Sequence, residues 1–364
     1  MQKHSYYLAK YFAKMKIHVD LYHYNESNLD ISILECFSTE EKKYINSIVV
    51  PFAKKIKFPG HYIVSSYHYS EAIFSEFKKQ EATDFIYIKG FAGWKLLDEK
   101  RKGMKLSPVG VNFHGYEMFQ KQADILGELK SKFILRQPVK FQLKHADFIF
   151  SYGGKITELL KNLGIVSESI IEIPTAIEAD WLTDKEKPIN NKIKFVYVGR
   201  YERRKGIEEL NIVLKKIIDK NLNFEFHFIG PIPEPKKFNH PKIIYHGKII
   251  NTEELKKLLD EMQVLVCPSY SEGMPNVILE AMARKLAIIT TNVGANILLV
   301  SDLNGKLIEE LSIYQLEKQI LDFIEMQPTD LAKMQNNSLS ILKENFLWED
   351  VIDKTIKLIE SKTR

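Results

Sequence analysis

The run YSEGMPNVILEAMARK, residues 270 to 285, sets Glu272 and Glu280 eight residues apart in otherwise apolar company. A carboxylate among Val, Ile, Leu, Ala and Met is costly to bury unless something hydrogen-bonds it. Either both glutamates face water, or a ligand sits there. Pro275 suits the first turn of a helix, where its missing N–H costs nothing. The free amides of that turn (Gly273, Met274, Pro275 and Asn276 surround it) and the helix dipole together make an anion site. Gly273 lets a ligand come close, and Glu280, one turn into the helix, could accept hydrogen bonds from two vicinal hydroxyls, as on a ribose. Glu272, before the turn, would reach a group beyond the phosphates. The plainer alternative pairs Glu280 with Arg284 at i, i+4, worth only ~0.3–0.5 kcal/mol, and leaves Glu272 as a loop residue.

A second segment, KFVYVGRYERRKGIEEL, puts an apolar run before Gly199-Arg200, then Lys205-Gly206, then a helical pattern. Gly199 allows close backbone approach, Arg200 offers a planar fork for phosphate oxygens, and Lys205 a mobile point charge. On its own, ERRK also reads as a solvated charge run. In the first half, GVNFHGYE ends an apolar run at His114-Gly115, and a lone His at a strand end is more often structural than functional.

The elements that must carry these residues alternate. Strand candidates are Ile17–Tyr24, Phe85–Lys89, Val109–Phe113, Phe148–Ser151 and Ile170–Ile173, then Lys194–Val198, Phe224–Ile229, Lys242–Tyr245, Val264–Cys267 and Ala287–Thr290. Between them lie amphipathic runs such as ITELLKNLG, IEELNIVLKKIIDKN and NTEELKKLLDEM, with apolar residues at i, i+3, i+4. This alternation predicts βαβ units and parallel sheets, and the unbroken apolar runs FVYV and VLVC predict strands covered on both faces. Polar TDKEKPINNK, residues 183–192, reads as an interdomain linker. The resulting architecture is α/β, with two Rossmann-like doubly wound domains facing a cleft and ligands expected beyond the carboxyl ends of the strands. The chain opens on a helical run, HSYYLAKYFAKM, where such a domain ordinarily begins with a strand.

Composition narrows the class. The 364 residues suggest two domains. No apolar run approaches the ~20 residues of a membrane span, and Cys36 and Cys267 are too few for a disulfide framework, so reduced thiols are expected. The net charge of +5 sits mostly in residues 1–180, which hold 25 Lys and Arg against 21 Asp and Glu. That excess is too small, and too free of aromatic interleaving, to mark a nucleic-acid groove. No G-x-G-x-x-G follows any strand candidate, which disfavours a nicotinamide-dependent oxidoreductase.

Taken in order, these segments resemble the retaining glycosyltransferases of the GT-B fold, in particular glycosyltransferase family four. EGMPNVILEAMA resembles that family's E-x7-E signature, and VGRYERRKG its phosphate-contacting segment. LAIITTNVGANILLV, LNGKLI, ADFIFSYGGKITELLKNLGI, IEIPTAIE and NFLWEDV fall where further family segments do, so the resemblance covers most of the chain. It implies an N-terminal acceptor-binding domain over residues 1–182, a nucleotide-sugar domain over 183–345, and a final helix, 346–364, packing back on the first domain. It also implies that Arg200 and Lys205 bind the donor diphosphate, Glu280 the ribose and Glu272 the donor sugar. The amides around Gly273–Asn276 would hold phosphate or sugar hydroxyls, and His114 would lie near the transferred sugar. Three departures stand out. The family's opening strand and glycine loop have no counterpart here. IPTAIE replaces I-P-N-G-I-D, and Ile297 and Leu298 stand where Pro and Glu are customary.

The implied activity is retaining transfer of a hexose from a UDP- or GDP-linked donor to a glycan or lipid-linked acceptor. Bacterial surface polysaccharide, lipopolysaccharide or glycolipid synthesis is the expected setting. No Asp-x-Asp pair occurs, so no metal or other cofactor is expected; Arg200, Lys205 and helix amides would neutralise the leaving phosphate. Lys42, Lys43, Lys54, Lys55 and Lys57 flank an apolar segment within residues 42–58, which suggests peripheral contact with the inner face of a membrane from the cytoplasm. Two alternatives remain: a non-catalytic sugar-nucleotide-binding or partner protein, and a nucleotide-sugar 2-epimerase on the same fold.

Overall fold

The structure, a computed structural model, describes residues 3–24, 33–51, 60–187 and 192–363. Three parallel sheets form. The first pairs β1, Val19–His23, with β2, Ile45–Val49. The second contains β3, Ile86–Lys89, β4, Val109–Asn112, β5, Phe148–Ser151, and β6, Ile170–Glu172, in the order β3-β4-β5-β6. The third contains β7, Ile193–Val198, β8, Phe224–Ile229, β9, Ile243–Gly247, β10, Val264–Cys267, β11, Ala287–Thr291, and β12, Gly305–Ile308. Its order is β12-β11-β10-β7-β8-β9. The chain moves one way from β7 to β9, then returns through β10 to the opposite side of β7. That reversal leaves a crevice at the carboxyl ends of β7 and β10, where ligands of such sheets bind.

The third sheet shows the two-sided burial that FVYV and VLVC imply. Phe195, Tyr197, Val264, Val266 and Ile289 pack on one face with the helices Ile207–Ile217 and Ile313–Ile324. Val196, Leu265, Cys267 and Ile288 pack on the other with the helix Asn276–Ala283. Side chains alternate between the two cores because the strand period is two.

In the first domain the strands fall into two sheets rather than one. One face of β3–β6 is covered by the helices Trp94–Arg101, Arg136–His145 and Lys155–Asn162, through Leu97, Val139, Ile156 and Leu160. Another core joins the helices Lys3–Lys14 and Trp348–Thr363 through Leu8, Tyr11, Trp348 and Ile352, with Tyr87 of β3 packed against it. Tyr11 stacks on Trp348 with ring centroids 5.8 Å apart. The chain reaches this helix by a bridge in which Ile177 N donates to Phe346 O and Trp348 N to Ile177 O.

The ten strand candidates all form, three with the expected ends and the others with ends shifted by one or two residues. β2 and β12 are additional. β2 lies within the lysine-flanked segment read as a docking surface, of which residues 52–59 fall outside the described residues. The described part of the expected linker lies along the second domain: Thr183 N donates to Ala283 O, and Lys187 Nζ donates to Leu259 O at 2.7 Å. Residues 188–191 of that linker also fall outside the described residues. Cys36 is exposed and Cys267 buried, both as free thiols.

Candidate active site

The crevice is built from two connections that lace together. After β7 the chain passes Gly199 and Arg200 into a tight turn, Arg203–Lys205, and enters the helix Ile207–Ile217 through Gly206. Gly206 has φ +66°, and a Cβ there would lie 1.8 Å from Pro268 O, so glycine alone permits the contact with the β10 connection. Tyr270 N donates to Arg204 O at 2.8 Å, joining the same two segments. Arg203 then grips Glu209 with both terminal nitrogens, at 2.8 and 2.6 Å, and Tyr270 Oη also donates to Glu209.

This lacing brings Glu272 onto two cations. Its side chain is buried; Lys205 Nζ donates to Oε1 at 2.6 Å and Ser269 Oγ donates to the same oxygen at 2.7 Å. Arg204 Nη1 stands 3.5 Å from Oε2, donates to Ser271 O at 2.9 Å, and reaches Glu117 of the first domain at 3.2 Å. Burial pushes the Glu117 carboxyl up, against the opposing pull of Arg204. Arg200, the other expected phosphate ligand, is placed differently. Its side chain is 72% exposed and paired with Glu202 at 2.8 Å, so the cation that meets Glu272 beside Lys205 is Arg204. Nothing in the run RYERRK distinguishes the inward Arg204 from Arg200; the turn geometry does.

The first domain meets this loop backbone to backbone. A Cβ on Gly115 would fall 2.6 Å from Gly273 N, and one on Gly273 would fall 3.0 Å from Gly115 N. Gln120 bridges the two, its Nε2 donating to Gly115 O and to Glu272 O, each at 2.5 Å. A second contact lies alongside. Lys155 N donates to Gly294 O, and Ile297 and Leu298 approach Gly154 and Gly153. Those two side chains, where Pro and Glu are customary in the resembling family, thus serve the contact between domains.

His114 precedes Gly115 and has a left-handed backbone, φ +55°, at the end of β4. Its Nδ1 lies 2.5 Å from Tyr152 Oη, and its backbone N donates to Asn112 Oδ1 at 2.6 Å. Burial, helped by the nearby Lys89, pulls the imidazole down to about 3, so it is neutral at pH 7. Lys89 Nζ lies 2.7 Å from His4 Nδ1, and burial lowers that amine to about 7. His4 stands edge-on to His114 at 5.4 Å. Sequence reasoning did not reach Lys89, His4, Tyr152 or Gln120, whose partners are distant in the chain.

Glu280 is half-buried on the helix Asn276–Ala283 and, with Asn276, lines a small pocket that also holds His4, Tyr7, Thr175 and Trp348. Arg284 donates through Nε to Asp260 at 2.7 Å and through Nη1 to Trp181 O, so its guanidinium is committed elsewhere than to an i, i+4 partner. Met274 is buried in the second domain's core and Pro275 stands at the start of the helix. Gly199 closes β7, its N donating to Ile229 O. Glu272, Lys205, Gly273 and His114 therefore converge, Glu280 and Asn276 share a neighbouring pocket, and Arg200 stands apart.

Residues 192–326 match the family model described as Glycosyl transferases group 1. Among curated proteins the chain is 29% identical over 170 residues to TuaC of Bacillus subtilis (strain 168), a glycosyltransferase named for teichuronic acid biosynthesis. That match covers 44% of this chain and 41% of TuaC, so the chain spans about two fifths of that relative's length. Sucrose-phosphate synthase from Thermosynechococcus elongatus superposes with a TM-score of 0.75 at 18% identity, over 97% of this chain and 91% of that one. Anabaena Alr3699/HepE, solved with UDP and glucose, gives 0.68 at 14% identity over 99% and 96%. The chain therefore has the GT-B fold over essentially its whole length, and its second domain carries the match to group 1 glycosyltransferases.

Proposed function

We propose that the chain transfers a sugar from a nucleoside-diphosphate sugar to a glycan or lipid-linked acceptor, with retention and without a divalent metal, in surface polysaccharide or glycolipid synthesis. The observation that carries the reading is the Glu272–Lys205–Arg204 cluster, set at the switch point of the third sheet against His114–Gly115 of the first domain. The match to TuaC supports the polysaccharide setting.

Each group then has a task. Lys205 and Arg204 face the donor diphosphate and offset charge growing on the leaving phosphate, an effect strongest in a dry, closed cleft. Arg200 reaches it only by leaving Glu202. Glu280 and Asn276 accept the ribose in their pocket, and Glu272 holds hydroxyls of the donor sugar. His114 is a neutral imidazole and a poor base, so its task is to hydrogen-bond the transferred sugar and not to take its proton. In the front-face step the C1–O bond to phosphate breaks as the bond from C1 to the acceptor oxygen forms, and the leaving phosphate accepts the acceptor's proton.

The test is turnover of UDP- and GDP-sugars with a glycan acceptor, with and without EDTA, and an NMR reading of the product's anomeric configuration. Transfer with retention, unchanged by EDTA, is expected. Inversion, or loss of turnover restored by a divalent ion, contradicts the mechanism. Nucleotide binding with no turnover of any donor favours a binding protein instead.

A further inference from the structure

The connection leading out of the cleft carries an exposed apolar patch that the transfer reaction does not use. From Ile125–Lys130 the helix continues through a wider π turn, Ser131–Leu135, into Arg136–His145. Asp124 caps its start, its Oδ1 accepting from Gly127 N at 2.6 Å. Along its outer side Ile125 is 78% exposed, Leu126 79%, Leu129 46% and Phe133 72%. Four large apolar side chains within nine residues, all facing solvent, are unlike the scattered single ones that any surface carries.

The charge around them is mainly positive. Lys130 and Lys132 are exposed among the apolar residues, and Lys140 and Lys144 are exposed further along the helix. Residues 121–145 hold six Lys and Arg against two Asp and Glu, and Glu128 is tied to Arg136 at 2.5 Å. Apolar side chains flanked by exposed lysines suit the boundary between acyl chains and anionic headgroups. A protein partner or a second copy would need a complementary acidic rim. We propose that this helix seats the protein on an anionic lipid surface through Ile125, Leu126, Leu129 and Phe133, with Lys130 and Lys132 on the headgroups. Gln120, which bridges the two domains, lies five residues before the patch, so docking brings the cleft mouth to the lipid. The segment differs from residues 42–58.

The proposal is tested by co-sedimentation with vesicles of phosphatidylcholine alone or with about one third phosphatidylglycerol, without donor or acceptor, so that its outcome is independent of the transferase reading. Wild-type protein sediments with the anionic vesicles and is released by salt. The Ile125→Ser/Leu126→Ser/Phe133→Ser variant, with an unchanged melting temperature, partitions at least about tenfold more weakly. Lys130→Ser and Lys132→Ser each weaken partition about fivefold. Equal partition of the triple variant, or absence of wild-type binding, overturns the proposal. So does a wild-type dimer that the triple variant makes monomeric while neither binds vesicles.

Discussion

Glu272 holds the centre of the site by holding two cations in place. Removing its carboxylate takes from Lys205 its ion pair and leaves Arg204 only Glu117, Glu202 and Ser271 O. Glu272→Ala is therefore expected to lose about 1–3 kcal/mol of stability, read from urea midpoints, while Lys205→Ala loses donor affinity with a smaller effect on stability. Proton linkage gives a second expectation at this scale. The unfolded His114 imidazole takes a proton below about 6.5, whereas the folded one waits until about 3. Stability accordingly falls as pH drops through that window, and His114→Gln flattens the fall. Lys89 acts the same way higher up: it is neutral above about 7 when folded and protonated to about 10.4 when unfolded. Stability attributable to it rises from pH 7 to 10, so the gain from Lys89→Met, measured by denaturation at several pH values, shrinks across that range. Turnover should show no break near pH 6.5 that His114→Gln abolishes.

At the scale of elements, β7 and β10 were legible because strands covered on both faces are apolar in long runs, and FVYV and VLVC are such runs. β12 was not, since Gly305–Ile308 has only two apolar side chains and follows a turn. β2, INSIV, carries Asn46 and Ser47 and is flanked by lysines, so its pattern resembles a solvated segment more than a strand. The glutamate pair was readable because one carboxylate just before an apolar helix run and another within it break the pattern. The choice of Arg204 over Arg200 was not, because three arginines in five residues are chemically alike and only the Arg203–Lys205 turn separates them. Gln120 meets Glu272 across 152 residues of chain, and no local signal encodes such a contact. The Gly115–Gly273 approach gives this scale its prediction. In Gly115→Ala the new methyl meets backbone of the other domain and not of its own. The domains should part slightly, raising the radius of gyration in solution scattering and cutting turnover at least about tenfold, with the melting temperature nearly unchanged.

Across the whole molecule, the last helix ties the chain's end to its start. Trp348 is 2% exposed, stacks on Tyr11 and lines the pocket of Glu280, so it joins stability to the site. Trp348→Ala should cost about 3–5 kcal/mol, seen as a lowered denaturation midpoint, and should weaken nucleotide binding as well. Among the described residues no helix is long and apolar enough to cross a membrane, and the proposed seating of the helix from Ile125 would give the protein another way to reach a lipid surface. In the proposed function the donor diphosphate lies between the two lacing connections of the third sheet. Thermal-shift measurement with UDP, GDP, ADP and CMP on wild type, Lys205→Ala and Glu280→Ala tests that directly. Saturating nucleotide should stabilise the wild type by about 2–3 kcal/mol, a rise of several degrees. One nucleoside diphosphate should do so, and both variants should lose the shift. Stabilisation that survives in Lys205→Ala and Glu280→Ala alike, or none by any nucleotide, would contradict it.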